Sequence, residues 1–490
     1  MPEPTLSQQL AAFAVDHPFD RLPQEVVESV RSRVLDVLGI CVAASPLDTS
    51  AAARLFALRQ GGQPESHAVG IGARLPGPAA ALVNGTLAHS LDYDDTHLPS
   101  VVHPSASVVP AALAVAQARQ RTGREVIAAI ACGLEVCVRI GMAGFDEDSG
   151  RNIFFEHGQH ATSICGTIGA AVSCGLLVGF EEDDLVHVIG VAASMGSGII
   201  EANRTGGTVK RMHCGWAAHA AVMAAELVEL GFTGPPTALE GRFGFFEAWL
   251  HGEFCSKWVT EGLGTRWEVP RIFFKPYPAN HFTHTAIDAA MALRYRNIDV
   301  DRIARLQLGV PEPIVRTIGE PIDVKRRPST GYMAQFSGPY AVALGLLGGA
   351  GLGAGLEDYS DELVKEERRL QIMDKVDVIA DAQCTAVFPN QFPCVLRVIM
   401  DDGELLEASV MSNRGGPDRP LTFHELSVKF RDNAERLLPT DTVLGVQALV
   451  ESLPELPSVD PLLEPLGSAL ERVLLSRDDV PAEDAPSLRS

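Results

Sequence analysis

The densest run of chemically capable side chains is NGTLAHSLDYDDTHLPSVVHPS, residues 84–105, which sets Asp92, Asp94, Asp95, Thr96, His97 and His103 between apolar stretches. Carboxylates and imidazoles drawn into a packed region are costly unless they are paired, so the cluster needs a purpose. Three readings fit the spacing. The aspartates and histidines suit a divalent ion such as Mn, Fe or Zn, which accepts oxygen and imidazole ligands. Alternatively, Asp92 orients or activates a histidine that moves a proton. In the third reading the carboxylates sit in solvent at the positive end of a helix.

Other segments add basic groups. FFEHGQHATSICGTIG (154–169) places His157 and His160 just before a helix rich in Ala and Gly, whose start suits an anion. RTGGTVKRMHCGWAAHAA (204–221) carries Lys210, Arg211 and His213 into another small-residue helix. FFKPYPANHFTH (273–284) sets Lys275 between apolar residues at an expected domain junction, a favoured place for a pocket. The chain has 40 Lys+Arg against 62 Asp+Glu, a formal charge of −22. Basic groups scattered through so acidic a chain suggest one anion pocket. The sequence holds no GxSxG nucleophile elbow and no HExxH zinc motif. The Gly-rich run GLLGGAGLGAGL (345–356) lacks the pattern of a phosphate loop and reads as a flexible loop.

The elements that must position these groups fall into two classes. From about residue 5 to 265 apolar residues recur at three and four, the helical period. Pro23 and Thr122 mark two helix starts. Beyond Pro270 come short β-like runs at 305–310, 375–381, 395–400 and 404–410, the last two flanking Asp401-Asp402-Gly403, a hairpin signal. The expectation is a mainly α protein: a large all-helical domain over 1–268 and a smaller α+β lid domain over 269–415. Helices over 416–475 are expected to pack back on the helical domain, with a disordered tail over 476–490.

At 490 residues the chain has room for two domains. Its acidity argues against nucleic acid and anionic membrane as partners. The nine cysteines include no CxxC pair and read as buried, reduced thiols. The expected location is cytoplasmic, since the N-terminus lacks a signal-peptide pattern and no run of 18 apolar residues occurs.

Taken together, NGTLAHSLDYDDTH followed by HPS, TGGTVKRMHCGWAAHAA, FFKPYPANHFTH and SGPYAVALGLL resemble the MmgE/PrpD family. That family includes 2-methylcitrate dehydratases, cis-aconitate decarboxylases and an iminodisuccinate epimerase, and the likeness covers nearly the whole chain. It implies a homodimer with its site between a helical domain and a lid, and no metal or other cofactor. Carried over by position, it implies His103, Asp92, His160 and Lys210 as catalytic residues. Thr96, Lys275, Tyr340 and His281 follow as substrate-binding residues. The expected activity is that of a cofactor-independent lyase on a small di- or tricarboxylate. Epimerisation at an α-carbon and non-catalytic carboxylate binding are the alternatives. The sequence departs from the decarboxylase pattern twice: one extra residue separates Thr96 from His103, and Asn280, followed by His281, stands where the pattern has a histidine.

Overall fold

The computed structural model describes residues 3–146 and 151–478. It is mainly α, with a small α+β part toward the C-terminal end. Helices α1 (Gln24–Ala44), α2 (Gly77–Ala88), α3 (Ser105–Ala118), α4 (Gly123–Met142), α5 (Ala161–Val178) and α6 (Val209–Glu229) form the heart of the helical body. Local sequence sets their starts. Pro23 stands just before α1. Thr122 opens α4 with a capping box: its hydroxyl accepts from the Glu125 N–H, and the Glu125 carboxylate accepts from the Thr122 N–H.

Helix α5 lies at the centre, against α3, α4 and α6. Its 18 residues are long and apolar enough to cross a membrane, yet 89% of them are buried inside the protein, where they line the core. Small residues permit the close approach. A Cβ added to Gly169 of α5 would lie 2.5 Å from the Gly133 carbonyl oxygen of α4. One added to Gly85 of α2 would lie 2.8 Å from the Cys214 carbonyl oxygen of α6. This second crossing matters for function, because it lays the loop that follows α2 against the first turns of α6.

A second core begins at Tyr277. Helices α7 (His284–Tyr295) and α8 (Gly338–Leu347) cover a sheet of β1 (Ile303–Val310), β2 (Val376–Ala380), β3 (Cys394–Met400) and β4 (Leu405–Val410). The strand order is β2–β1–β3–β4; β1 pairs parallel with β2, and the other pairs are antiparallel. The β3–β4 hairpin turns at Asp401-Asp402-Gly403, where Gly403 takes a φ of +88°. The Gly-rich run at 345–356 winds round Asp358, whose carboxylate accepts from the N–H groups of Ala350 and Gly355 at 2.8 Å each.

The chain then returns to the first core. Helix α9 (Phe423–Ala434) packs on α1, and Phe430 and Ala434 join the helical core. With them come Val443 and Val446 of α10 (Thr440–Glu451) and Leu462 and Leu466 of α11 (Asp460–Asp478). The tail expected over 476–490 starts inside α11; residues 479–490 lie outside the described residues. Among the described residues eight cysteines are buried, Cys255 is exposed, and all are free thiols.

Candidate active site

The loop between α2 and α3 carries the polar motif, and long-range partners fix it. Thr96 and Phe273 exchange backbone hydrogen bonds of 2.8 Å each way. That bridge carries the 273–275 segment, and with it Lys275, alongside the motif. Residues of the loop then alternate in role. Tyr93 donates its hydroxyl to the Pro276 carbonyl at 3.1 Å. Asp95 receives Arg33 of α1 at 2.6 Å and the Ser105 hydroxyl, with both charged side chains buried. Arg33 also donates to the carbonyls of Val269 and Ile272. His97 binds the Ser100 hydroxyl at 2.8 Å and lies 3.5 Å from Glu268. These three residues are anchors. Asp92, Asp94 and Thr96, between them, meet a different set of partners.

Asp92 adopts φ +52°, a left-handed conformation uncommon outside glycine and a recurrent mark of functional loops. Its carboxylate lies 3.4 Å from the ammonium groups of both Lys210, on α6, and Lys275. Lys275 is buried and also donates to the Asp92 carbonyl at 2.7 Å. Burial alone would raise the Asp92 carboxyl; Lys275 and Lys210 more than offset it and hold the group below the usual carboxylate range. In return, Asp92 raises Lys210 above the ordinary lysine value. The three form a charged knot with an excess of one positive charge.

His103 stands beside this knot. Its Nδ1 lies 2.5 Å from the Asp95 carbonyl oxygen and 3.2 Å from the Thr96 hydroxyl. A carbonyl only accepts, so Nδ1 carries the hydrogen and the lone pair of neutral His103 is on Nε2. Burial, opposed by Asp94 and reinforced by Lys275, His89 and Lys210, pushes His103 down to about 4. The ring is therefore a neutral base at physiological pH. We predict that any reaction needing proton removal by Nε2 keeps its kcat/KM from neutrality down to about pH 4 and loses it below, after correction for the substrate's own ionisation. An acidic limb near the ordinary histidine value of about 6.5 would show that another group is the base.

His160, immediately before α5, places its Nδ1 2.8 Å from Nδ1 of His213, so this pair shares one hydrogen. Burial, His89 and Lys210 lower His160 well below the usual range, while burial pushes His213 down to about 4. His281 is buried with neither ring nitrogen hydrogen-bonded. Burial, His284, Lys275 and His103 lower it, and Asp92 pulls the other way, which places it within the field of the same cluster. Asn280 is used structurally: its side chain accepts from the Phe282 N–H and caps a short turn.

Tyr340 is placed elsewhere. Its ring fills the second core beside Tyr359, 5.4 Å between centroids, and its hydroxyl donates to the Asp358 carbonyl. The Ser337 hydroxyl caps the Tyr340 N–H at the start of α8, which turns the ring inward. Of the other basic groups named from sequence, His157 is exposed and stacks on His251, and Arg211 donates to Thr49. Conversely, His89 reaches the cluster without having been singled out. It sits one residue past α2, and its Nδ1 lies 2.6 Å from Asp94. The five-residue spacing of His89 and Asp94 matches neither helix nor strand, so no periodicity signals the pair.

The aspartates thus separate: Asp92 to the lysines, Asp94 to His89, Asp95 to Arg33. Together Lys210, Lys275, Thr96, His103 and His281 form a group suited to hold carboxylates and exchange a proton beside them.

Known proteins resemble this chain over most of its length. The cis-aconitate decarboxylase of Homo sapiens is 28% identical over 395 residues, 78% of each chain. That of Aspergillus terreus is 24% identical over 504 residues, covering 96% of this chain and 97% of the relative. A cis-aconitate decarboxylase-like protein of Aspergillus oryzae is 24% identical over 487 residues, 94% of this chain and 97% of the relative. Residues 8–256 match the MmgE/PrpD N-terminal domain and residues 277–455 the MmgE/PrpD C-terminal domain, so the chain belongs to the MmgE/PrpD family.

Proposed function

We propose that the protein is a cofactor-independent lyase acting on a small di- or tricarboxylate, with decarboxylation of a cis-aconitate-like substrate as the leading reaction. The observation that carries this reading is the convergence of Lys210 and Lys275 on one carboxylate, Asp92, beside a neutral histidine. The names of the relatives support the choice of reaction. A substrate carboxylate competes with Asp92 for the two ammonium groups and accepts from the Thr96 hydroxyl. In decarboxylation the bond from carbon to the departing CO₂ breaks, and its electron pair spreads into the neighbouring unsaturated carboxylate. Fixed cations at that carboxylate stabilise the developing charge, and losing one such donor typically costs about 3 kcal/mol of barrier. A protonated histidine, His103 or His160, then delivers a proton to carbon. An anionic substrate raises the affinity of both rings for that proton.

The neutral state of His103 favours a second reading: dehydration of a 2-methylcitrate-like substrate. There Nε2 takes the proton from carbon, the carbon–oxygen bond breaks with its electron pair, and the Lys210 ammonium gives the departing hydroxyl the proton with which it leaves as water. Incubation of the protein with cis-aconitate, 2-methylcitrate and citrate in D₂O, followed by proton NMR, separates the two. Loss of cis-aconitate with a deuterated decarboxylation product is the expected result. Deuterium exchange into unconverted substrate would point to epimerisation instead. A folded protein that turns over none of the three overturns the lyase reading.

A further inference from the structure

His89 and Asp94 form a buried couple that the reaction scheme above leaves unused. His89 is 3% exposed and Asp94 1%. The His89 ring stands between the two histidines of the site, 5.4 Å from the His103 ring and 5.4 Å from the His160 ring, centroid to centroid. Its Nδ1 is 2.6 Å from Asp94 Oδ2, while its Nε2 and Asp94 Oδ1 are buried without hydrogen-bond partners. An imidazole held at one nitrogen by a carboxylate and left unpaired at the other is costly inside a protein. A purely structural residue has no use for that arrangement.

One ligand atom each from His89, Asp94 and Cys214 lies within 4.8 Å of the others, so a bound cation is the first alternative. The contacts favour a different use. Two donors on one ion with bonds of about 2.0–2.1 Å sit roughly 3.3 Å apart in a tetrahedral site. The 2.6 Å separation of His89 Nδ1 and Asp94 Oδ2 is instead that of a strong, charge-assisted hydrogen bond.

We infer that the Asp94–His89 couple is a positioning element for His103, whose charge governs how readily that ring takes up and returns a proton during the lyase reaction. It works through His103 and His160 and does not touch substrate, and in this it rests on the function proposed above. The surroundings of His89 define the field. Asp92 and Asp94 face it from its own loop, His103 from the approach to α3, and His160 from the approach to α5. Helix α6 contributes Lys210, His213 and Cys214, and the segment after the Phe273 bridge contributes Lys275. Asp94 is the negative charge that favours protonated His103. Burial would raise Asp94, but His89 and its hydrogen bond keep it ionised. His89 pulls His103 the other way. The two members of the couple therefore have opposite effects on one ring.

That opposition supplies the test. His103 is followed by NMR titration of histidine-labelled full-length protein without substrate, beside Asp94→Asn and His89→Gln. Asp94→Asn is expected to move His103 to lower pH and His89→Gln to higher pH, each by about one to two pH units, as for neighbouring charges in a protein interior. Where His103 acts as the base, the acidic limb of kcat/KM moves in the same two directions; where it acts as the acid, the basic limb does. Because the titration needs no turnover, an inactive protein refutes the proposed function without touching this inference. Titration of His103 unchanged in both variants, or shifted the same way in both, overturns it. If one variant fails to fold, the direction seen in the other decides; if both fail, the couple is a structural strut and the inference is overturned.

Discussion

His103→Ala is expected to lower kcat by about 10²- to 10⁴-fold, the usual contribution of a positioned acid–base group, while leaving KM within a few-fold. The reasoning lies in the tautomer. Nδ1 is committed to the Asp95 carbonyl, so Nε2 is the nitrogen that can meet substrate. The lysines that hold carboxylates are supplied by α6 and by the 273–275 segment, and both survive the substitution. Binding is therefore retained and proton transfer lost. His103→Asn refines the test: its amide can still donate to Asp95 but supplies no basic nitrogen, so it should be as inactive as the alanine variant. Steady-state kinetics on whichever carboxylate the panel identifies provide the measurement. A variant retaining more than about a tenth of kcat would remove His103 from the proton path.

The second large effect is on stability. Arg33→Met is expected to reduce the unfolding free energy by about 3–5 kcal/mol, because it leaves the Asp95 carboxylate buried without its cation. Urea unfolding of variant and wild type measures the loss directly. Adding Asp95→Asn should recover much of it, since the neutral amide no longer needs a counter-charge. Activity should fall in Arg33→Met as well, although Arg33 touches none of the proposed substrate groups. The guanidinium ties the motif loop to the carbonyls of Val269 and Ile272, just before the bridge at Phe273. Releasing it loosens the Asp95 carbonyl that orients His103. A double variant that regains stability but not activity would separate the two roles.

The helices and strands were legible because their signals are local. Thr122 with Glu125 is a start signal contained in four residues, and Asp401-Asp402-Gly403 fixes a hairpin through the freedom of one glycine. The site was half legible. Asp92, Thr96, His103, His160, Lys210 and Lys275 could be named from their segments, and His281 from the family resemblance. Which way each side chain of 92–97 faces is decided by Arg33 and Phe273, far away in sequence, so spacing alone left metal binding open for three aspartates that in fact go to three different partners. Tyr340 shows the same limit. SGPY marks a helix start well, but whether the ring faces a substrate or fills a core depends on Asp358 and Tyr359. His89 carried no signal for another reason: its partner Asp94 is near in sequence, but at a spacing that matches neither helix nor strand.

The pairing of Asp36 with Lys429 reaches beyond equilibrium stability. Asp36 lies in the middle of α1 and Lys429 in α9, 2.7 Å apart and almost fully buried. Lys429 also donates to the Tyr93 carbonyl, next to Asp92. A growing chain makes the acid early and its cation late. At about 5–20 residues per second, α1 waits roughly 20–80 s on the ribosome for the partner that lets it bury a carboxylate. Until α9 emerges, the helical body holds an unsatisfied acid at its centre, and the motif loop lacks its tie at the Tyr93 carbonyl. The candidate site is thus completed only after synthesis of nearly the whole polypeptide, and a fragment ending before α9 should be a client for chaperones rather than an independently folded unit.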